Sequence, residues 1–376
     1  MSDLVAVSYG ALDVRDHSFG GDRHELLVVP VRPGSPLFLY GEGALLWLRL
    51  VDAALDESVF DESERQILTD MEQMGIVSRD VGHSARVQEI RGPWLSSPMH
   101  ELVYSLLGWV AAAEEIDILF IKGPTLHAQG LRDREHSGDV DCWVRPADEI
   151  RLARAMQEWG WKPAFSAFTG TRVLHSLTLR VGDWGSAIDV HTWFPGIAMD
   201  ADDAFALVSE KSDVRVFAGY DARTPTTDMH AIISALHDVR PLQGRMPTAQ
   251  QVGKAGDVLR RGGRTVPSLV RDAGAEYALA AALRRAFPEF RLDLDNAAVP
   301  KDWAWRLADS PLHVYFEAIK LVPPRQRLRV FFRVLWPTAE SLRSGPYGDD
   351  TTSTSVIRIR RAMQGWRLLH RAKSRA

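Results

Sequence analysis

Apolar positions along this chain recur with two periods, and the change of period marks its parts. Residues 25–31 (ELLVVPV) and 37–40 are short β-prone runs separated by Arg32-Pro33-Gly34-Ser35-Pro36, where Pro and Gly supply turn geometry, so a hairpin is predicted. Residues 42–53 carry Leu45, Leu46, Leu48, Leu50 and Val51 around Trp47, the pattern of a buried helix. Asp61 and Glu64 have capping-box spacing, Ile67, Leu68, Met71 and Met74 follow at helical intervals, and Gly75 is placed to stop that helix. Residues 82–98 are polar and broken by Gly92-Pro93 and Pro98, and read as a linker.

Beyond it the pattern is mixed. Leu102, Val103, Leu106, Leu107 and Val110 predict a helix over 99–115, and residues 117–121 (DILFI) form an apolar strand ended by Lys122-Gly123-Pro124. Pro124 suits the start of a short helix through Leu131. Residues 139–144 predict a strand, and Pro146 opens a helix built on Ile150, Leu152, Ala153, Met156 and Trp159, closed by Gly160. Residues 173–181 and 187–193 pair as a hairpin across Gly182-Asp183-Trp184-Gly185. After Pro225 the pattern turns helical, at 228–239, 266–286, 311–321 and 325–335, and residues 344–355 read as a loop. The domain boundaries drawn from this are 1–82, 98–225 and 226–376, in an α/β (α+β) chain whose C-terminal region is helical.

Composition changes this picture little. A 45% hydrophobic and 25% charged chain of 376 residues has ample core material, and a net charge of −4 argues against bulk nucleic-acid binding while leaving local patches open. Cys142 is the single cysteine, so no intrachain disulfide forms, which fits a reducing compartment. The N-terminus lacks the basic-then-apolar order of a secretory signal, and no apolar run reaches the ~20 residues of a membrane span. A cytoplasmic location is expected.

The candidate chemistry is acidic. Strand side chains alternate faces, so Asp139 and Asp141 point one way and Val140 and Cys142 the other. Asp189 lies in a second apolar frame, Ile188-Asp189-Val190-His191, on the open face beside His191. An Asp-x-Asp pair at a strand start is also ordinary turn chemistry. The three acids together suit divalent cations with oxygen ligands, Mg2+ above all, and two such ions would serve phosphoryl or nucleotidyl transfer. Gly123 lets backbone amides approach a phosphate at the start of a short helix, and Lys122 adds a point charge.

Other chemistries fit poorly. His127, His136, His175 and His191 lack short zinc-ligand spacing, Ser176 and Ser186 lack a nucleophile elbow, and nothing suggests the sugar cleft of a glycosidase. Trp47, Trp159 and Trp336 read as core, whereas Trp143 and Trp193 share the acids' strand faces and are candidates to flank a base. Residues 356–376 carry seven Lys or Arg and no acid; they read as an amphipathic helix packed on the protein, with a membrane surface or RNA as other readings.

These residues carry a resemblance. Ile121-Lys122-Gly123-Pro124, Ser137-Gly138-Asp139-Val140-Asp141 and Ile188-Asp189-Val190-His191-Thr192-Trp193 resemble a nucleotidyltransferase-like family, with weaker likeness at residues 228–237 and 334–337. The resemblance implies a minimal nucleotidyltransferase-type mixed sheet and magnesium-dependent transfer of a nucleotide from a nucleoside triphosphate to a hydroxyl acceptor. Asp139, Asp141 and Asp189 would be metal ligands and catalytic groups, with Lys122, Gly123 and His191 binding substrate. Related sequences place an Arg four residues before the first Asp. Glu135 stands there, and Arg134 just before it is the residue carried over. Residues 37–47 (LFLYGEGALLW) and 71–80 (MEQMGIVSRD) resemble the PqqD-like winged-helix domains, which implies capture of a peptide along a strand edge, the peptide then being a candidate acceptor. The alternatives from other classes are a non-catalytic peptide-binding protein on a degenerate transferase fold and a toxin-like transferase acting on tRNA.

Overall fold

The computed structural model describes residues 3–16, 25–135, 138–180, 182, 184–242, 244–295, 297–308, 310–343, 353–360 and 363. The architecture is mixed α/β. The N-terminal part runs β1 (Asp3–Ala6), β2 (Gly10–Asp13), β3 (Leu26–Val29), β4 (Leu37–Leu39), α1 (Gly41–Asp52), β5 (Leu55–Asp56), α2 (Glu62–Met74) and β6 (Val77–Ser78). Its strands form two three-stranded antiparallel sheets, ordered β5-β1-β6 and β2-β3-β4. The predicted hairpin is β3–β4. Asp61 and Glu64 close the reciprocal cap of α2, and Gly75 ends it at φ +79°, where a Cβ is unfavourable. Four strands go beyond the sequence expectation, because runs of two to four residues give too little alternation to read. Leu45, counted with the buried set of α1, is 61% exposed.

Residues 82–98 do more than link. Their backbone is laid against the N-terminal strands through Ser8 N–H to the Ala85 carbonyl, Val87 N–H to Ala6 and Asp13 N–H to Arg91, and Ala85 and Leu95 are buried.

The central part runs α3 (Pro98–Ala113), β7 (Ile118–Phe120), α4 (Gly123–Ala128), β8 (Asp139–Val144), α5 (Glu149–Glu158), β9 (Lys162–Pro163), β10 (Ser176–Arg180) and β11 (Ala187–His191), then α6 (Ala201–Glu210), β12 (Ser212–Phe217) and β13 (Tyr220–Pro225). The five-stranded sheet has the order β7-β8-β11-β10-β9, with β8 and β11 parallel and its other pairs antiparallel. One face buries Val140, Cys142, Val144, Ile188 and Val190 in a core shared with α3 and α5. Leu119 and Trp143 belong to a second core, shared with Phe194, Phe205 and the helices that follow. The α6 helix and the β12–β13 hairpin were not anticipated; exposed Val214 and Val216 blur the alternation of β12.

Those helices are α7 (Thr227–Val239), α8 (Ala249–Gly262), α9 (Val266–Asp272), α10 (Glu276–Ala286), α11 (Trp303–Arg306), α12 (Pro311–Leu321), α13 (Pro324–Leu335) and α14 (Ala339–Arg343). The single helix predicted over 266–286 is two, parted at Gly274 with φ +64°. Helix α8 was missed because its glycines and basic residues hide its apolar stripe. Trp336, expected in the core, is 67% exposed. Residues 344–352 of the predicted loop, and the basic tail apart from 356–360 and 363, lie outside the described residues.

Gly108 lets α3 meet β13: a Cβ there would lie 2.1 Å from the Tyr220 ring. Alanine normally favours a helix interior by about 1 kcal/mol over glycine. Here Gly108→Ala should instead destabilise the fold by about 1–3 kcal/mol, the cost of overpacking, read as a lower urea midpoint; an unchanged or raised midpoint would show the ring moves freely.

Candidate functional site

The parallel register of β8 and β11 sets Asp189 opposite Asp141 and His191 opposite Trp143. Side-chain alternation then brings Asp139, Asp141, Asp189 and His191 to one face of the sheet. Ligand atoms of Asp141, Asp189 and His191 lie within 4.8 Å of one another, a grouping able to hold a metal ion. Thr178 on β10 donates its hydroxyl to Asp189 Oδ1 at 2.6 Å, fixing that carboxylate.

Between β7 and α4 the chain brings in a cation. Lys122 Nζ donates to Asp141 Oδ1 at 2.6 Å and lies 3.4 Å from His191 Nε2, which is itself 2.8 Å from the same oxygen. Phe194 stacks on His191 and lies under the Lys122 ammonium, 5.6 Å from the ring centre. Lys122 adopts φ +57°, ψ −132°, a conformation that costs a non-glycine residue about 1–3 kcal/mol. Its surroundings hold it there. The Lys122 N–H donates to His230 Nε2, so His230 carries its proton on Nδ1 and donates to Gln129 Oε1 at 2.7 Å; Gln129 Nε2 in turn donates to the Pro225 carbonyl at 2.8 Å. Ile121 N–H also bonds the Asp141 carbonyl, stitching the start of this loop to β8.

The charges follow from burial. Asp141 is 4% exposed. Burial would push its carboxyl up, but the His191 hydrogen bond and the Lys122 ammonium outweigh this and hold it well below the usual carboxylate range. Asp139 is displaced the opposite way, by burial and by the neighbouring Asp141 and Asp189. His191 is pushed down by burial and by Lys122, so it is neutral, and the tautomer with its proton on Nε2 donates to Asp141. A carboxyl raised by burial and by two neighbouring carboxylates, as Asp139 is, stands in an environment that a divalent cation relieves, and carboxylate oxygens are the donors a hard cation takes. The residues therefore fit such an ion.

Not every predicted site residue gathers here. Asp139 shares the face but stands outside the tight Asp141–Asp189–His191 group. Gly123 begins α4 at φ +55°. Arg134 is exposed and lines a separate groove; the arginine nearest the loop is Arg132, whose Nη2 donates to the Gly123 and Glu135 carbonyls at 2.7 Å. Trp143 cannot flank a base, because it is fully buried against Phe194. Trp193 lines a cavity of about 300 Å3 with Phe194, Met199 and Lys301. His136 and Ser137 lie outside the described residues. The sequence reading missed Arg132, Thr178 and the pair Gln129–His230; of these only His230 lies in a stretch of resemblance, the weaker one at residues 228–237, and no role was read from it there.

No family model and no curated protein matches this chain. Among solved structures it is similar to the antibiotic-resistance factor ANT(2'')-Ia, at 16% identity over 50% of this chain and 91% of that one, TM-score 0.31. It is also similar to an antigenic nucleotidyltransferase-like protein from Paracoccidioides brasiliensis, at 13% identity over 54% and 93%, TM-score 0.34. Likenesses this distant carry no weight for activity, which is argued from the chain's own residues.

His230 is enclosed, and burial pushes its pKa down to about 3. The unfolded histidine takes its proton near pH 6.5 and the folded one only near 3, so the stability this confers is present above about pH 6.5 and lost as pH falls toward 3. His230→Gln, which keeps an acceptor for the Lys122 N–H, should flatten the decline in unfolding free energy below pH 6 by about 1.4 kcal/mol per pH unit. Urea titrations at pH 7.5, 6 and 5 measure it; parallel declines would mean His230 is protonated in the folded state.

Proposed function

We propose that this chain is a magnesium-dependent nucleotidyltransferase that moves a nucleotidyl group from a nucleoside triphosphate to a hydroxyl acceptor. The observation that carries the reading is the meeting of Asp141, Asp189 and His191 ligand atoms within 4.8 Å on adjacent parallel strands, with Asp139 on the same face and Lys122 on Asp141. Asp139, Asp141 and Asp189 would hold Mg2+, two ions in the fullest occupancy. Bound there, magnesium neutralises triphosphate charge and lowers the pKa of a coordinated hydroxyl.

The chain's own groups do the rest. Lys122 and the Gly123 backbone draw in the phosphates. His191 holds Asp141 ionised and oriented. In the transfer, the acceptor oxygen bonds to the α-phosphorus as the bond to the β-phosphate breaks, pyrophosphate leaves with that electron pair, and Asp189 takes the hydroxyl proton.

A second reading is a peptide-binding protein on a transferase fold without catalysis. It is favoured by the Lys122 ammonium, which already sits on Asp141 where a metal would draw charge, and by β4, which among the described strands pairs with β3 alone, with Phe38 on it 37% exposed and Tyr40 just beyond it 68% exposed. In the PqqD-like resemblance such an edge receives a peptide.

Calorimetry with Mg2+ and a nucleoside triphosphate separates the two. The transferase reading expects nucleotide binding that requires Mg2+, lost in Asp141→Asn, and turnover lower by about a thousandfold or more in Asp139→Ala, the scale of removing one electrostatic element of an active site. Magnesium-independent binding, or full turnover in Asp139→Ala, would sink it. Peptide capture that disappears when Phe38 and Tyr40 are replaced by Asp, with no transfer detected, would establish the second reading.

A further inference from the structure

A second groove adjoins the site and differs from it in charge. It is a depression of about 720 Å3 bordered by residues 131–134, α7, α8 and α10. Arg132, Arg134, Lys254, Arg261 and Arg285 line it, against Asp133 and Asp257, so its walls carry five cations to two acids on a chain whose net charge is −4. Asp257 is already paired with Arg260 at 3.0 Å, Asp133 with Arg261 at 3.6 Å, and Lys254 with Asp238, outside the groove lining, at 3.2 Å. Among the described residues neither Arg134 nor Arg285 has a carboxylate partner. Arg285 is held by shape: its side chain crosses Gly253 and Gly256 of α8, where added Cβ atoms would meet it at 3.6 and 3.2 Å. Among the described residues no aromatic ring lines the groove, and what they offer is charge for phosphates.

The groove is tied to the candidate active site at two points. Arg132 lines it and donates to the Gly123 carbonyl. Ser234 lines it from α7, one turn beyond His230, which holds the Lys122 N–H. We infer that this groove binds the phosphodiester backbone of a single-stranded oligonucleotide and that the acceptor hydroxyl of the transfer is carried by that strand, delivered past Arg132 to the Lys122–Gly123 loop. The acceptor half rests on the proposed transferase activity; the binding half does not.

The test is fluorescence anisotropy of the full chain with a labelled single-stranded oligoribonucleotide, with and without competing nucleoside triphosphate or tripolyphosphate. Arg134, Lys254 and Arg285 are exposed, so the triple variant Arg134→Gln, Lys254→Gln, Arg285→Gln should keep its thermal midpoint. It should bind the strand about tenfold or more weakly, and its plot of log affinity against log salt should flatten by about 2, near 0.7 per lost phosphate contact. Ser234→Glu, an acid in the groove wall, should weaken binding in the same direction. Equal affinity in wild type and variants, absence of strand binding at low salt, or loss of only triphosphate or tripolyphosphate binding in the variants would each overturn the inference. Strand binding without transfer would leave the groove and remove the enzyme reading; transfer to a peptide unaffected by the groove variants would do the reverse.

Discussion

The buried charge on Asp141 is the constraint from which the site is built. A carboxylate only 4% exposed must be compensated where it stands, because the interior offers no water to do it. Compensation comes from two directions: His191, one strand away, and the Lys122 ammonium, carried in by the loop between β7 and α4. The loop pays for that position with a backbone conformation glycine would prefer, and the Lys122 N–H is then fixed by His230, which Gln129 holds in the required tautomer. A buried ion pair of this kind contributes little net stability, since desolvation consumes most of its attraction. Its consequence is geometric: one sheet face is left with acids on β8 and β11, a neutral imidazole and a single ammonium.

That arrangement also connects parts of the chain that look independent. The sheet's second face-core includes Leu119 and Trp143 together with α7, α8, α9 and α10, so the helices that follow Pro225 form the wall against which the acids are set. Helix α7 serves both sides of this wall, with His230 toward the Lys122 loop and Ser234 toward the basic groove. A shift of α7 would be felt at both.

Much of this was legible from the residues alone. The strands carrying the acids were read from alternation, because Val140, Ile188 and Val190 mark the buried face and leave Asp139, Asp141 and Asp189 on the other. The Asp61–Glu64 cap and the Gly75 stop were read from local chemistry, which acts within one turn and so is written in a few adjacent residues. The misreadings share a cause as well. Trp143 and Trp336 have similar apolar neighbours, yet one is enclosed and the other is 67% exposed, because enclosure depends on what packs on top. The helix over 266–286 was drawn as one piece because Gly274 is tolerable in a helix; only the turn shows that its freedom is used.

The sequence by itself determined which side chains share a face, since that follows from a two-residue period within each strand. It could not determine which strands lie side by side. The parallel pairing of β8 with β11 sets Asp189 against Asp141, and β10, which follows β8 in sequence, takes the outer side of β11 instead. Nor could it place Lys122, whose ammonium reaches Asp141 because a distant histidine on α7 holds its backbone. Local periodicity is a property of adjacent residues; register and charge compensation are settled between segments that meet only when the chain has folded.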